Sequence, residues 1–246
     1  MMPFKKDNIP PLTNFGFKKV LSKDKDPLVK EVFDSVAPKY DMMNDLMSIG
    51  IHRIWKKILI DALNPTKNMK LVDVGGGTGD VGYRFLERGG LNVTIIDINA
   101  NMLKFGKIKN KANKNFKKIN WVNANAEKLP LPPSYADAYT IAFCIRNVTN
   151  IGNVLEEARR VLKPGGHFLC LEFSQVQNVT LRKIYDKYSF SVIPWLGHVI
   201  ADDKKSYKYL AESIRQFPNQ RDFSKIIQAS GLDLVSYRNL SGGIAT

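Results

Sequence analysis

The chain has 246 residues, 44% hydrophobic and 24% charged, and carries a formal net charge of +14 at pH 7. This length and composition are typical of one folded globular protein with its own hydrophobic core, and they exclude disordered and fibrous chains. No run of about 18 uncharged apolar residues occurs, so no membrane-spanning helix is expected, and the positive charge favours an anionic partner such as nucleic acid or an acidic membrane surface.

The N-terminal residues 1–68 are predicted to form a helical cap over a core of residues 69–246, within one structural domain. An apolar stripe with helical spacing runs from Val29 to Val36. The first 27 residues contain no arginine and no apolar segment, so they fit neither a secretory signal nor a transit peptide. The two cysteines lie in apolar runs, which indicates reduced thiols rather than a disulfide or a metal site.

From residue 70 onward, short apolar runs alternate with amphipathic stretches, which predicts a parallel sheet with helices on both faces. The expected strands are 71–74, 93–96, 119–122, 138–143 and 167–173, and the expected helices are 81–88, 100–112 and 151–162. A helical insertion follows at 180–230, and late strands are expected at 232–237 and near Ile244. The predicted fold class is α/β: a doubly wound, mostly parallel, seven-stranded Rossmann-like sheet with ligands at the carboxyl ends of its strands.

A glycine-rich loop follows the first strand and precedes a helix. Gly75, Gly77 and Gly79 let the backbone approach a ligand closely and adopt positive φ angles. The spacing of Gly77, Gly79 and Gly82 also matches a dinucleotide fingerprint, and Asp97 ends the second strand at the distance expected for a ribose-binding acid. A nicotinamide dinucleotide and S-adenosylmethionine therefore both fit this loop.

Acidic side chains beside the loop distinguish between these two cofactors. Asp73 precedes the glycines, and Asp80 opens the helix that follows them. A pyrophosphate favours backbone N–H groups and a helix dipole, so nearby carboxylates would repel it. S-adenosylmethionine carries an ammonium and a sulfonium, and the two acids therefore favour it as the cofactor, with Asp97 accepting hydrogen bonds from the ribose hydroxyls.

Two further features of the sequence concern ligand binding: the residues after the third strand and a run of lysines. Asn125 and Ala126 follow the third strand, where a polar and a small residue would read the adenine edge, although a plain turn is the alternative. Seven lysines and no acid occur between Lys104 and Lys118. The favoured interpretation of this run is the solvated face of an outer helix, and contact with anionic lipid headgroups is the functional alternative.

Five segments carry more specific motifs. They are 39–56 (KYDMMNDLMSIGIHRIWK), 146–149 (RNVT), 160–166 (RVLKPGG), 171–174 (LEFS) and 201–218 (ADDKKSYKYLAESIRQFP). Together they resemble the UbiE family of ubiquinone/menaquinone biosynthesis C-methyltransferases, which are class I S-adenosylmethionine-dependent enzymes. The resemblance implies methyl transfer to a ring carbon of a polyprenylated quinol, either 2-methoxy-6-polyprenyl-1,4-benzoquinol or demethylmenaquinol.

The family's cofactor positions fall on Thr78, Asp97, Asn125 and Ala126, while Ala142 stands where the family often has serine. With the residues of the glycine loop, the expected cofactor site comprises Asp73, Gly75, Gly77, Thr78, Gly79, Asp97, Asn125 and Ala126.

Candidate catalytic residues follow from the chemistry of methyl transfer, which needs alignment and a quinol oxygen that has lost its proton. Arg146 follows the fourth strand, and its permanent charge would favour the phenolate, while Asn147 would orient the ring oxygen. Asp41 or His52 from the N-terminal helices would take the proton, and Tyr40 lies beside them. A packing role is the alternative for His52 and Tyr40.

Two other functions are alternatives to a quinol C-methyltransferase. An RNA-modifying methyltransferase is favoured by the charge alone, and a nicotinamide-dependent oxidoreductase is a weaker alternative. No RNA-binding module is evident, so no nucleic-acid partner is expected. A lipid substrate predicts a cytoplasmic protein at the inner membrane surface, or a matrix protein in mitochondria, and a homodimer or a quinone-biosynthesis complex as the assembly.

Overall fold

The computed structural model describes residues 11–37, 40–192, 195 and 204–246. Its centre is a five-stranded sheet in which all neighbouring strands are parallel. The strands are β3 (Lys70–Val74), β4 (Asn92–Asp97), β5 (Ile119–Asn123), β6 (Ala136–Ala142) and β7 (Leu162–Leu171), in the order β5-β4-β3-β6-β7. Because the chain moves outward from β3 in both directions, the topological switch point lies between β3 and β6, and ligand crevices form there in such sheets.

The described helices are α1 (Ser22–Val36), α2 (Tyr40–Ser48), α3 (His52–Leu63), α4 (Asp80–Glu87), α5 (Ala100–Asn110), α6 (Ile151–Val161), α7 (Val179–Lys187), α8 (Lys204–Gln216) and α9 (Gln220–Ala229). Asparagine side chains cap several N-termini. Asn99 accepts the Met102 N–H at 3.0 Å at the start of α5, and Asn150 accepts the Asn153 N–H at 3.3 Å at the start of α6.

Helices cover both faces of the sheet, as predicted. Alternate residues of β3 point to opposite sides, so Leu71 joins one buried cluster and Val72 and Val74 join the other. The first cluster includes Trp55 of α3 and Phe85 of α4, and the second includes residues of α6 and α9. A third cluster packs α1 against α8, which places α1 beside the carboxyl ends of the central strands.

Three features differ from the sequence-based expectation. A hairpin of β1 (Leu12–Phe15) and β2 (Lys18–Leu21) precedes α1, where helices and loops were predicted. No strand is assigned at 232–237, because Leu234 has a φ of 54° and is fully exposed, which breaks the strand alternation. Ala245 makes only isolated bridges to Phe173 and Leu240. Five of the seven predicted strands therefore form the main sheet of the described residues.

Most remaining boundaries agree closely with the prediction, but β7 spans Leu162–Leu171 where a strand at 167–173 was predicted. The predicted helix at 81–88 is observed at Asp80–Glu87, and the predicted helical region 180–230 contains α7, α8 and α9. Ile193, Pro194 and Leu196, which belong to an aromatic-apolar stretch in that region, lie outside the described residues. Within the described ranges, no helix has both the length and the apolar character needed to cross a bilayer.

Candidate functional site

A pocket lies at the carboxyl ends of β3, β4, β5 and β6, and α1 closes one side of it. Its walls include the glycine loop, the acid that ends β4 and the residues that follow β5 and β6. They are formed by Asp26, Val29, Lys30, Phe33, Val74, Gly75, Gly77, Ile96, Asp97, Ile98, Asn99, Met102, Ala124, Asn125, Ala126, Glu127, Phe143, Cys144, Asn147 and Val148. The pocket therefore occupies the place that the topology predicts for a ligand.

The glycine loop has positive φ angles, and added side chains would clash with neighbouring residues. Gly75, Gly77 and Gly79 have φ angles of 62°, 54° and 90°, a region that costs other residues energy. A Cβ atom on Gly75 would lie 2.2 Å from the Cys144 Sγ, and one on Gly77 would lie 3.1 Å from the Met102 Cε. The loop thus brings bare backbone to the pocket wall, as expected for a ligand-binding turn.

Asp97 ends β4 and faces this loop. Its Oδ2 accepts the Gly77 N–H at 2.9 Å, and its Oδ1 accepts the Asn99 N–H at 2.8 Å. Burial raises the pKa of Asp97 to about 6, although both backbone hydrogen bonds oppose the increase. Each carboxylate oxygen has a second lone pair, so Asp97 can accept hydrogen bonds from a ligand while it holds the loop.

The N-terminal helix α1 is tied to the pocket by two consecutive residues. Asp26 accepts hydrogen bonds from the Asn125 Nδ2 at 2.8 Å and the Thr149 Oγ1 at 2.7 Å. The buried Lys25 donates from its Nζ to the Val148 carbonyl at 2.7 Å, and burial lowers the pKa of this lysine. These contacts join α1 to the loops after β5 and β6, so the helix forms a cover on the pocket.

The pocket is acidic, but neither of the two acids predicted from the sequence to favour a cation, Asp73 and Asp80, lines it. Three carboxylates, those of Asp26, Asp97 and Glu127, line it together with one ammonium, that of Lys30. Glu127 accepts the N–H groups of Thr149 and Asn150, each at 2.8 Å. A net excess of carboxylates favours a cationic ligand.

Asp73 and Asp80 have other roles, and the expectation that they repel a pyrophosphate was wrong, because neither lines the pocket. Asp80 pairs with Lys56 at 3.1 Å and with Arg84 at 2.7 Å, so two cations balance its charge. Asp73 is fully buried, accepts the Thr140 hydroxyl at 2.7 Å and does not line the pocket. Burial raises the pKa of Asp73 to about 7, and its Oδ2 lies 2.7 Å from where a Cβ on Gly76 would stand.

The other expected cofactor residues divide between the pocket and its support. Asn125 and Ala126 line the pocket, as predicted for residues that read a base. Thr78 is buried against α5, where its carbonyl accepts the Asn110 Nδ2 at 3.2 Å, and it does not line the pocket. Gly79 begins α4 as its N-cap.

Arg146 follows β6, as predicted, but its charge is already paired. Its Nη1 donates to the Glu172 Oε1 at 2.6 Å and to the Phe143 carbonyl at 2.7 Å, and both side chains are buried. Its guanidinium also lies 5.5 Å from the centre of the Phe173 ring. Burial raises the pKa of Glu172, and the arginine opposes that increase. The geometry makes Arg146 a positioning residue for the loop after β6 rather than an open cation at the pocket.

Asn147, the next residue, lines the pocket. Its Oδ1 accepts the Tyr209 hydroxyl at 2.9 Å, while its Nδ2 is buried with no hydrogen-bond partner among the described residues. The sequence singled out Asn147 but not Tyr209, which comes from α8, 62 residues further along the chain.

The structure places neither Asp41 nor His52, two of the three N-terminal candidates, in the pocket. Asp41 forms an ion pair with Lys109 on the outer surface of α5. His52 is buried, contacts the Asp45 Oδ1 at 2.9 Å and has its pKa lowered, mainly by burial. The side chain of Tyr40 lies outside the described part of the chain. A packing role for His52, the alternative in the sequence analysis, agrees with this geometry.

A protein-family model and several curated protein sequences match this chain. The model described as the ubiE/COQ5 methyltransferase family matches residues 19–246. The chain is 49% identical to a mitochondrial 2-methoxy-6-polyprenyl-1,4-benzoquinol methylase of Dictyostelium discoideum, over 95% of this chain and 84% of that protein. It is 50% identical to the ubiquinone/menaquinone biosynthesis C-methyltransferase UbiE of Paracoccus denitrificans, over 96% of this chain and 95% of that protein.

Solved structures share the fold at low sequence identity. An S-adenosylmethionine-dependent methyltransferase of Aquifex aeolicus superposes with a TM-score of 0.57 at 16% identity, covering 83% of this chain and 94% of that one. A phosphoethanolamine N-methyltransferase of Haemonchus contortus in complex with S-adenosyl-L-methionine gives a TM-score of 0.57 at 17% identity, covering 76% of this chain and 38% of that one. These matches establish a Rossmann-like methyltransferase fold.

Proposed function

The chain belongs to the ubiE/COQ5 methyltransferase family, and we propose that it transfers a methyl group from S-adenosylmethionine to a ring carbon of a polyprenylated quinol. Activity as a C-methyltransferase of quinone biosynthesis follows from family membership and from relatives that share about half of its residues over nearly the whole chain. The names of those relatives support 2-methoxy-6-polyprenyl-1,4-benzoquinol or a precursor of menaquinone as the acceptor, and demethylmenaquinol is the menaquinone precursor that the family resemblance implies.

The pocket residues fit S-adenosylmethionine, and this fit is the observation that carries the proposal. Asp97 offers two carboxylate oxygens at the end of β4 to a ribose diol, and Asn125 and Ala126 would border the adenine. Gly75 and Gly77 line the pocket with backbone alone, where the chain of the methionine moiety would lie. The carboxylates of Asp26 and Glu127 favour the cationic groups of this ligand over a pyrophosphate.

The chemistry needs little covalent help from the protein. When bound, S-adenosylmethionine supplies a methyl group that leaves its sulfur as a carbon–carbon bond forms at the quinol ring, and the ring then loses a proton to solvent or a base. The residues of this chain hold the ring and exclude water. Asn147 lines the pocket beside Phe143, and the buried Arg146–Glu172 pair fixes the loop that carries Asn147.

An exposed aromatic surface offers a site for the prenyl chain. Phe17 of the hairpin and Phe190 stack at 6.3 Å and are 55% and 41% exposed. Trp195 is 58% exposed. Apolar side chains left in water are typical of surfaces that receive lipids or partners, and we assign this one to the tail of the acceptor.

A peripheral membrane location belongs to the same proposal. The run from Lys104 to Lys118 contains seven lysines and no acid, and Lys109 there pairs with Asp41. Basic surfaces bind anionic lipid headgroups with about 1 kcal/mol per lysine near the membrane. Flotation with vesicles that contain anionic lipid should recover the protein at low salt, and absence of binding there would contradict the membrane contact.

Methyl transfer tests the main proposal directly. Radiolabel from S-adenosylmethionine should enter a short-chain 2-methoxy-6-prenyl-1,4-benzoquinol or a short-chain demethylmenaquinol, and not bulk RNA. Calorimetry with S-adenosylhomocysteine and NADH, side by side, tests the cofactor, and only the former should bind. Label in RNA alone would overturn the substrate assignment, and binding of NADH alone would overturn the cofactor assignment.

A further inference from the structure

The amide of Asn147 is held at one end and unpaired at the other. Its Oδ1 accepts the Tyr209 hydroxyl at 2.9 Å. Its Nδ2 has no hydrogen-bond partner among the described residues, and both side chains are only 4% exposed. An unpaired buried N–H is costly, so this donor indicates a ligand oxygen in the pocket that Asn147 lines.

Tyr209 is itself fixed from two sides. Its ring stacks on Phe15 of the hairpin, with the ring centroids 4.3 Å apart and the planes 21° apart. It also belongs to the buried cluster in which α1 packs against α8, with Val32 and Leu210. A phenol held in this way donates its hydroxyl from one direction only, because its ring cannot turn without breaking these contacts.

In the observed orientation of the Asn147 amide, Oδ1 accepts from the Tyr209 hydroxyl and Nδ2 lies at the unpaired end. The main chain of Asn147 is fixed separately, since its N–H donates to the Cys144 carbonyl at 2.8 Å. The remaining freedom is rotation of the amide group, which would exchange its oxygen and its nitrogen. A hydroxyl that donates to Oδ1 keeps Nδ2, the donor, on the unpaired side.

We propose that Tyr209 is a positioning residue for methyl transfer: it fixes the Asn147 amide so that Nδ2 donates to the ring oxygen next to the carbon that receives the methyl group. This inference rests on the proposed function, because it assumes a quinol oxygen in the pocket. A donor at that oxygen stabilises the phenolate character that makes the neighbouring carbon nucleophilic. The contribution of Tyr209 is indirect, through Asn147.

The charge of Arg146, which precedes Asn147 in the chain, is already engaged. Arg146 pairs with Glu172 in a buried contact of 2.6 Å, so the donor proposed for the substrate oxygen is the neutral Asn147 amide. This assigns to the Asn147 amide the role that the sequence analysis gave to the arginine.

The test substitutes Tyr209→Phe, which retains the ring and its stacking on Phe15 and removes only the hydroxyl. We expect kcat for the quinol to fall about tenfold, while KM and the dissociation constant of S-adenosylhomocysteine stay within about twofold of wild type. Tyr139→Phe is the matched control, because its buried hydroxyl has no partner among the described residues, and its kcat should stay at the wild-type value.

Coupling to Asn147 separates positioning from a structural role. If Tyr209 acts through Asn147, Tyr209→Phe should cause no further loss of kcat in an Asn147→Ala background. Additive losses, or a Tyr209→Phe enzyme with wild-type kcat, would overturn the inference. If Tyr209→Phe does not fold, Asn147→Ala alone decides: an unchanged kcat rejects the donor role. Wild-type enzyme without activity on quinols would instead reject the proposed function, so the two failures are distinguishable.

Discussion

Asp97 gives the sharpest test of the cofactor site. The substitution Asp97→Asn replaces one of two acceptor oxygens by an NH₂ group, which would then face the N–H of either Gly77 or Asn99, now 2.9 and 2.8 Å from the carboxylate. A hydrogen bond to a charged group contributes about 1.5–3 kcal/mol. Loss of one such bond to the ribose would raise the dissociation constant of S-adenosylhomocysteine roughly 10- to 150-fold.

The pH dependence gives the same test a second readout. The pKa of Asp97 in the free protein is about 6, and the ribose hydroxyls require the carboxylate form. Binding should therefore weaken as pH falls through 6, by about tenfold for each pH unit below it. In Asp97→Asn this dependence should disappear, because the amide does not titrate.

Isothermal titration calorimetry from pH 7.5 to 5 measures both effects. Asp137→Asn is the control, because this carboxylate also accepts a backbone N–H, from Lys70 at 2.9 Å, at the amino end of β3, the opposite edge of the sheet. Its affinity should equal that of wild type. An Asp97→Asn protein that binds within threefold of wild type at pH 7.5, or that keeps the pH dependence, would refute the assignment of Asp97 to the ribose.

Three further substitutions test the loop, the cover and the buried ion pair. Gly75→Ala places a Cβ 2.2 Å from the Cys144 Sγ at a φ of 62°, so S-adenosylhomocysteine binding should be lost in calorimetry, while Gly165→Ala, with positive φ but open space, should retain it. Asp26→Ala removes the two carboxylate oxygens through which α1 holds Asn125 and Thr149 and should weaken cofactor binding about tenfold with little change in melting temperature. Arg146→Met leaves a buried carboxylate unpaired and should lower the free energy of unfolding in urea by about 3–5 kcal/mol.

The central sheet could be predicted because parallel strands buried on both faces have continuous apolar sequences. The strand at Lys70–Val74 follows this pattern except at Lys70 and Asp73, and four of its five residues are buried. The hairpin at Leu12–Leu21 could not be predicted in this way, because its strands have four residues each and contain no buried residue. The run at 232–237 has strand-like composition, yet Leu234 adopts a left-handed φ that its sequence does not indicate.

The same distinction applies to the candidate site. Residues that local motifs determine were predicted, and residues whose roles depend on distant contacts were not. Gly75, Gly77 and Asp97 were predicted because a loop and the end of the next strand are set by short motifs. The role predicted for Asp80 was wrong, because Asp80 pairs with Lys56. Lys56 lies 24 residues earlier in the chain, and the pairing depends on how α3 packs. Asp26 was missed because its partner Asn125 is 99 residues away, and no local pattern marks such a pair.

Three consecutive residues together contact both α1, which covers the cofactor pocket, and Tyr209, which positions Asn147. The Val148 carbonyl accepts from Lys25 of α1, the Thr149 hydroxyl donates to Asp26 of the same helix, and the Asn147 amide accepts from Tyr209 of α8. Because a shift of this segment moves all three contacts, seating α1 over a bound cofactor also sets the position of the Asn147 donor. Asp26→Ala should therefore lower kcat even when the cofactor is saturating, whereas Asp97→Asn, which contacts only the cofactor side, should regain most of its kcat at saturation.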